Sequence, residues 1–135
     1  MLVTFFYNGR QYENYDISKE EVRRQLVNEG IDIESIAKKK VKQELNDTTD
    51  LYFYSQAKRR GGYLNMGEIE RDKKAGDPDA LFLDALYDAI WEKEEELEGQ
   101  VDSMSLEELL NLNIEAWVKP LYDQIVAELE NTSEE

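Results

Sequence analysis

The dipeptide Asn8-Gly9 lies between Leu2-Val3-Thr4-Phe5-Phe6-Tyr7 and Arg10-Gln11-Tyr12-Glu13-Asn14-Tyr15, and no other local feature constrains the fold as strongly. Asn-Gly is the favoured two-residue type I′ turn, because both central residues need positive φ. The run before it is β-branched and aromatic, and the run after it alternates polar and aromatic residues. The segment is therefore expected to form a β-hairpin. A two-residue turn pairs Phe5 with Tyr12 and Val3 with Asn14, so that one face carries Val3, Phe5, Tyr7, Tyr12 and the stem of Arg10. Such a hairpin is marginal alone in water. It must pack on a helix, join another sheet or add to the sheet edge of a partner subunit.

Nothing in the composition can staple the fold covalently or through a soft metal. The 135 residues include no cysteine and no histidine. That removes disulfides, thiolate or imidazole zinc sites, Cys or Ser–His nucleophile pairs and any histidine pH switch. With 41% apolar residues, the chain suits one domain or two small lobes with a modest core. The longest apolar run, Leu2 to Tyr7, is far shorter than the roughly 18 residues of a bilayer span. It lacks the flanks of a signal peptide, so an intracellular protein is expected. The sequons at Asn46 and Asn131 then read as polar loop and tail chemistry.

After the hairpin the patterns are helical. Ser18-Lys19-Glu20-Glu21 has the form of a capping box, opening a short helix with Val22 and Leu26 inward and Gly30 as its stop. Ile33, Ile36, Ala37, Val41 and Leu45 predict a second helix over about 33–45, with Lys38, Lys39, Lys40 and Lys42 on a solvated outer face. Leu51 to Arg60 is ambiguous between strand and helix and is taken as helix. Arg59-Arg60-Gly61-Gly62-Tyr63 is expected to be a tight connector, not a phosphate cradle. A polar helix over about 67–74 ends at Gly76. Asp77-Pro78 then caps the longest helix, which is expected to reach Leu97 and stop at Gly99. Its stripe is Leu83, Leu86, Ile90 and Leu97, widened by Phe82, Tyr87 and Trp91 into a band that one neighbouring helix does not easily cover. Ser105-Leu106-Glu107-Glu108 forms a second capping box. A final helix holds Ile114 and Trp117, and Pro120 is expected to kink or restart it. Its later apolar face would be Leu121, Ile125, Val126 and Leu129, before a polar acidic tail over 131–135. The expected fold is mainly α with an N-terminal β-hairpin, its helices packed as a small irregular bundle.

The net charge of -15 is unevenly placed: residues 1–46 sum to 0, residues 47–76 to +1 and residues 77–135 to -16. Gly76 is therefore the expected boundary between a balanced lobe, 1–76, and an acidic helical lobe, 77–135, the alternative being one continuous domain. A field of this sign repels phosphates and anionic lipid, so neither direct nucleic-acid binding nor membrane binding is expected. Asp84, Asp88, Glu92 and Glu95 follow i+4 and i+3 steps along one side of the long helix. Without histidine they lack the Glu-x-x-His ligands of a di-iron bundle, and they have no calcium-loop spacing. A charged stripe facing solvent or a partner is the better reading. No catalytic, cofactor-binding or metal residue is assigned.

Arg59-Arg60-Gly61-Gly62-Tyr63-Leu64-Asn65-Met66-Gly67-Glu68, followed by Leu83-Asp84-Ala85-Leu86-Tyr87, resembles a phrase of small phage tail-associated proteins encoded near tail-fibre or tail-assembly genes. That phrase runs Arg-x-x-x-Tyr-Pro-x-Ile-x-Asp-Gln-Leu-Asp-Ala-Leu-Tyr. Leu64 stands where it has proline, and residues 69–82 interrupt what is continuous there. The resemblance implies a virion or virion-assembly protein without enzymatic activity, found in the virion or the host cytoplasm, and carries over no catalytic residue. The expected function is a structural or adaptor protein acting through contacts with other protein subunits. The hairpin aromatics Phe5, Tyr7 and Tyr12, the aromatics Phe82, Tyr87 and Trp91 and the four carboxylates are its expected contact residues. The alternative is a nucleic-acid mimic whose acidic helices occupy the basic groove of a host nuclease or restriction complex.

Overall fold

The computed structural model describes residues 1–133, and Glu134 and Glu135, the end of the expected acidic tail, lie outside the described residues. The fold is mainly α with an N-terminal antiparallel hairpin, as expected. Strands β1 (Leu2–Tyr7) and β2 (Arg10–Asp16) precede helices α1 (Glu20–Asn28), α2 (Ile33–Arg59), α3 (Met66–Lys74), α4 (Pro78–Asp102), α5 (Leu106–Asn111) and α6 (Ile114–Ser133). The chain divides into two compact units, residues 1–44 with 98–112, and residues 45–97 with 113–135. Gly76 lies inside the second of these.

In the first unit Asn8 and Gly9 take positive φ, and Tyr7 pairs with Arg10, Phe6 with Gln11 and Phe5 with Tyr12. Beyond Phe5 the expected register fails: Val3 faces Tyr15, not Asn14. Asn14 turns to φ +53 and its N–H bonds the Thr4 hydroxyl, so an extra residue is bulged out of β2. The bulge keeps Val3 and Tyr12 buried on one face and extends β2 to Asp16.

Ser18 does not cap α1. Its N–H and hydroxyl both bond the Asp16 carboxylate, and Lys19 takes the cap position without a side-chain bond. Asp16, two residues upstream, competes successfully for the serine that the capping box needed. Those bonds, with that from the Met1 ammonium, hold the Asp16 carboxyl down at about 2. A carboxyl depressed in the folded state contributes stability above its ordinary value of 3.8, and that contribution disappears as pH falls through the folded value. In denaturant titrations from about pH 5 down to about pH 2, the stability advantage over Asp16→Asn should therefore shrink steadily. A pH-independent difference between the two would contradict the assignment.

α2 is one helix of 27 residues, so the expected end at Leu45 and the polar loop at Asn46 are both overturned. Ile33, Ala37, Val41, Leu45, Thr49, Phe53 and Ala57 are all buried, every fourth residue in turn. Thr49 keeps the line intact because its hydroxyl donates to the Leu45 carbonyl at 2.9 Å and meets the Tyr122 hydroxyl. Leu51 to Arg59 is helical, and Gly61 and Gly62 turn the chain at φ +83 and +70.

α4 begins as expected, with the Asp77 carboxylate accepting from the N–H groups of Asp79 and Ala80. It does not stop at Gly99 but runs on to Asp102, because Leu97 and Val101 continue the buried stripe. A Cβ on Gly99 would meet nothing within 4 Å. Gly99→Ala should accordingly raise stability by about 0.5–1 kcal/mol in urea denaturation, and a loss would show that this turn is not helical in solution.

Ser105 and Glu108 form the reciprocal capping box of α5. α6 passes through Pro120 without restarting, since Pro120 is exposed while Ile114, Val118, Tyr122 and Val126 are buried at steps of four. Of the apolar face expected here, Val126 is buried, whereas Leu121, Ile125 and Leu129 are half-buried. The unexpected Tyr122 is the largest fully buried side chain. Asn131, read as tail, is helical.

Candidate functional site

The ten expected contact residues separate by unit: Phe5, Tyr7 and Tyr12 belong to the first, the other seven to the second. On the hairpin, Phe5 stacks on Tyr12 with ring centroids 4.8 Å apart and planes 3° from parallel. The Arg10 guanidinium lies 4.6 Å from the Tyr12 ring centre, so the arginine stem joins this face as expected. Tyr12 is only 4% exposed and serves as core. Phe5 and Tyr7 remain half-exposed, and the Tyr7 hydroxyl donates to the Gly30 carbonyl at 3.4 Å.

Phe6, which was not singled out from the sequence, is the hairpin's most exposed aromatic at 73%, with Leu2 at 55%. The signal was present: side chains alternate along a strand, so an aromatic between Phe5 and Tyr7 must lie on the opposite face. Beside β1 is an open cavity of about 600 Å³. Residues 3–7 of β1 form one wall, the N-terminal turns of α2 the other, and Gly30 and Ile31 join them. Lys39 and Lys40 belong to this wall. They are thus more than the solvated helix face expected from the sequence.

In the second unit Phe82 is 9% exposed, with the Arg60 guanidinium 3.7 Å from its ring centre. Arg60 also pairs with Glu130, so the residue preceding Gly61-Gly62 is engaged with side chains of its own unit. Tyr87 sits between Phe53, edge-on at 5.3 Å, and Trp91 at 5.7 Å, and both Tyr87 and Trp91 stay half-exposed. Asp84 accepts from Lys73 at 2.8 Å, which raises the lysine pKa. Asp88, Glu92 and Glu95 are exposed. The carboxylate stripe is therefore three open acids and one bound to a lysine.

Glu94 was also not singled out, and it is 1% exposed. Its position, four after Ile90 and three before Leu97, places it on the buried stripe. Periodicity marked it, although residue type argued against it. Burial, with the nearby Glu94 charge adding to it, pushes the Tyr122 phenol up. Burial and the hydrogen bond to Asp123 do the same to Tyr52. Among the described residues no group of three or more carboxylates is placed to hold a metal ion, and no helix is long and apolar enough to cross a membrane. No family model, curated protein or solved structure matches this chain.

Proposed function

We propose that this chain is a non-enzymatic structural or adaptor subunit that acts through protein–protein contacts, in the setting its sequence resemblance implies, a phage tail or its assembly. The observation that supports the contact role most strongly is the hairpin. Among the described residues β1 pairs with β2 alone, and it presents exposed Phe6 and Leu2 beside an open cavity. An unpaired strand edge with large apolar side chains is a surface that proteins normally shield unless a partner covers it. Purified particles should contain the chain in stoichiometric amounts by mass spectrometry, in the virion or as an assembly intermediate in the host cytoplasm. Phe6→Lys should lower its incorporation about tenfold while leaving the fold intact by circular dichroism, as expected for loss of one aromatic anchor. Absence from both particles and intermediates would overturn this reading.

A second reading, the nucleic-acid mimic, is favoured by one specific observation: Asp88, Glu92 and Glu95 are open on α4, in a unit whose residues sum to -11. Capture of a basic nucleic-acid-binding protein, lost at high salt and lost when those three acids are made neutral, would select it. A main partner of any other kind would reject it.

A further inference from the structure

We infer that the cavity beside β1 is a groove for an extended, acidic peptide segment, which adds to β1 as a third strand and sets its carboxylates against Lys39 and Lys40. The inference rests on the reading of this chain as a protein-binding subunit and names the chemistry of what it binds.

The argument starts from the turn. A two-residue hairpin closes on a hydrogen-bonded pair, here Tyr7 with Arg10, and bonded and non-bonded pairs then alternate. Phe5 with Tyr12 is the next bonded pair, so the N–H and C=O of Phe6 point away from β2. These are the groups that a third strand uses. The cavity meets β1 along this edge: consecutive residues 3–7, from both faces of the strand, line it, and no residue of β2 does. A cavity lying on one face would be lined by alternate residues only.

The opposite wall has the matching shape. Asp32, Ser35, Ile36, Lys39, Lys40 and Gln43 recur at helical spacing and form one face of α2 and its N-terminal cap. Five strand residues extend about 17 Å. The helix from residue 32 to residue 43 rises by about the same distance. The groove therefore has the length of an extended segment of about five or six residues, and α2 closes it on the side where a further strand would otherwise continue the sheet.

Charge selects the occupant. Asp32, at the Gly30 end, is already committed: its carboxylate accepts the N–H and hydroxyl of Ser35, and these bonds lower its pKa. Lys40 reaches Glu44 only at 3.9 Å, and Lys39, exposed, makes no ion pair among the described residues. The cationic groups left to meet a ligand are these two lysines, both about two turns along α2 from Asp32. Apolar side chains on the other positions of the segment would meet Phe5, Ile36 and the flank of Tyr7.

The test uses the full chain and three labelled hexapeptides in fluorescence anisotropy: one alternating valine and glutamate, one alternating valine and lysine, and the first with alternate amides N-methylated. The glutamate peptide should bind and shift the amide resonances of Thr4 and Phe6 while leaving that of Tyr12 in place. Joint Lys39→Glu and Lys40→Glu substitution, at surface positions, should weaken it about tenfold and favour the lysine peptide instead. N-methylation should abolish binding, since it removes strand donors. Equal binding of both charged peptides to the unmodified chain, indifference to N-methylation, failure of any peptide to bind, or a dimer formed through β1 itself would overturn the inference. Peptide binding by a chain absent from particles would overturn the assembly reading alone; stoichiometric presence with no peptide binding would overturn only the groove.

Discussion

Tyr122→Ala should destabilise the chain by about 3–5 kcal/mol, the range for removing a large aromatic side chain from a core. Tyr122 is fully buried, and its ring lies 5.2 Å from that of Tyr52. Its hydroxyl is held by Thr49, whose own proton is given to the Leu45 carbonyl. Tyr122→Phe separates the two contributions: it keeps the ring and forfeits one buried hydrogen bond, for an expected cost of about 1 kcal/mol. Urea denaturation followed by circular dichroism measures both. If the alanine variant were no less stable than the phenylalanine variant, the ring would not be part of the core. Thr49→Val should cost more than the phenylalanine variant, about 1–3 kcal/mol, because it leaves the buried Tyr122 hydroxyl without its threonine partner.

Gly61→Ala should cost about 2–4 kcal/mol, against about 1 kcal/mol for Gly62→Ala beside it. Both glycines have positive φ, which any side chain finds strained. They differ in what a side chain would meet. A Cβ at Gly62 has open space, whereas at Gly61 it would lie 2.6 Å from Cε2 of Tyr63. That ring cannot easily yield, since the Tyr63 N–H bonds the Ala57 carbonyl at 3.2 Å and the Tyr63 hydroxyl bonds Asp72 at 2.7 Å. The Asp72 carboxylate also pushes the Tyr63 phenol up to about 12. Displacing the ring should therefore bring one tyrosine back toward its ordinary value of 10.0 in a spectrophotometric titration, a change that Gly62→Ala should not produce. Equal stability of the two variants would refute the steric argument.

The parts of this fold that were legible beforehand are those that one or two residues decide locally. Asn8-Gly9 set the hairpin, Asp77 and Ser105 set helix starts, and Gly61-Gly62 set a turn, each by a backbone preference that tertiary packing did not oppose. Legibility failed where a polar side chain stood in a buried line. Thr49 interrupts the apolar spacing of α2 and Glu94 that of α4, and a reading by residue type ends the stripe at one and overlooks the other. Ser18 failed for another reason: its hydroxyl donates to the Asp16 carboxylate and does not accept the helix N–H that a cap would hold. The candidate site was partly visible. The aromatic hairpin and the lysine run are both local patterns, but pairing a free strand edge with a particular helix face is a long-range fact that neither contains.

The buried line along α2 has a consequence for how this sequence can change. Seven members at intervals of four residues drift about 40° around the helix at each step, so the line is a slow spiral and not a fixed face. Substitutions that keep a small or apolar group at one member disturb that member alone. Inserting or deleting a single residue between Thr49 and Phe53 would turn Phe53 and Ala57 by about 100° relative to Leu45 and Thr49 of the same unit and carry both out of its core together. Over this stretch the spacing of residues is therefore less free to vary than their identities.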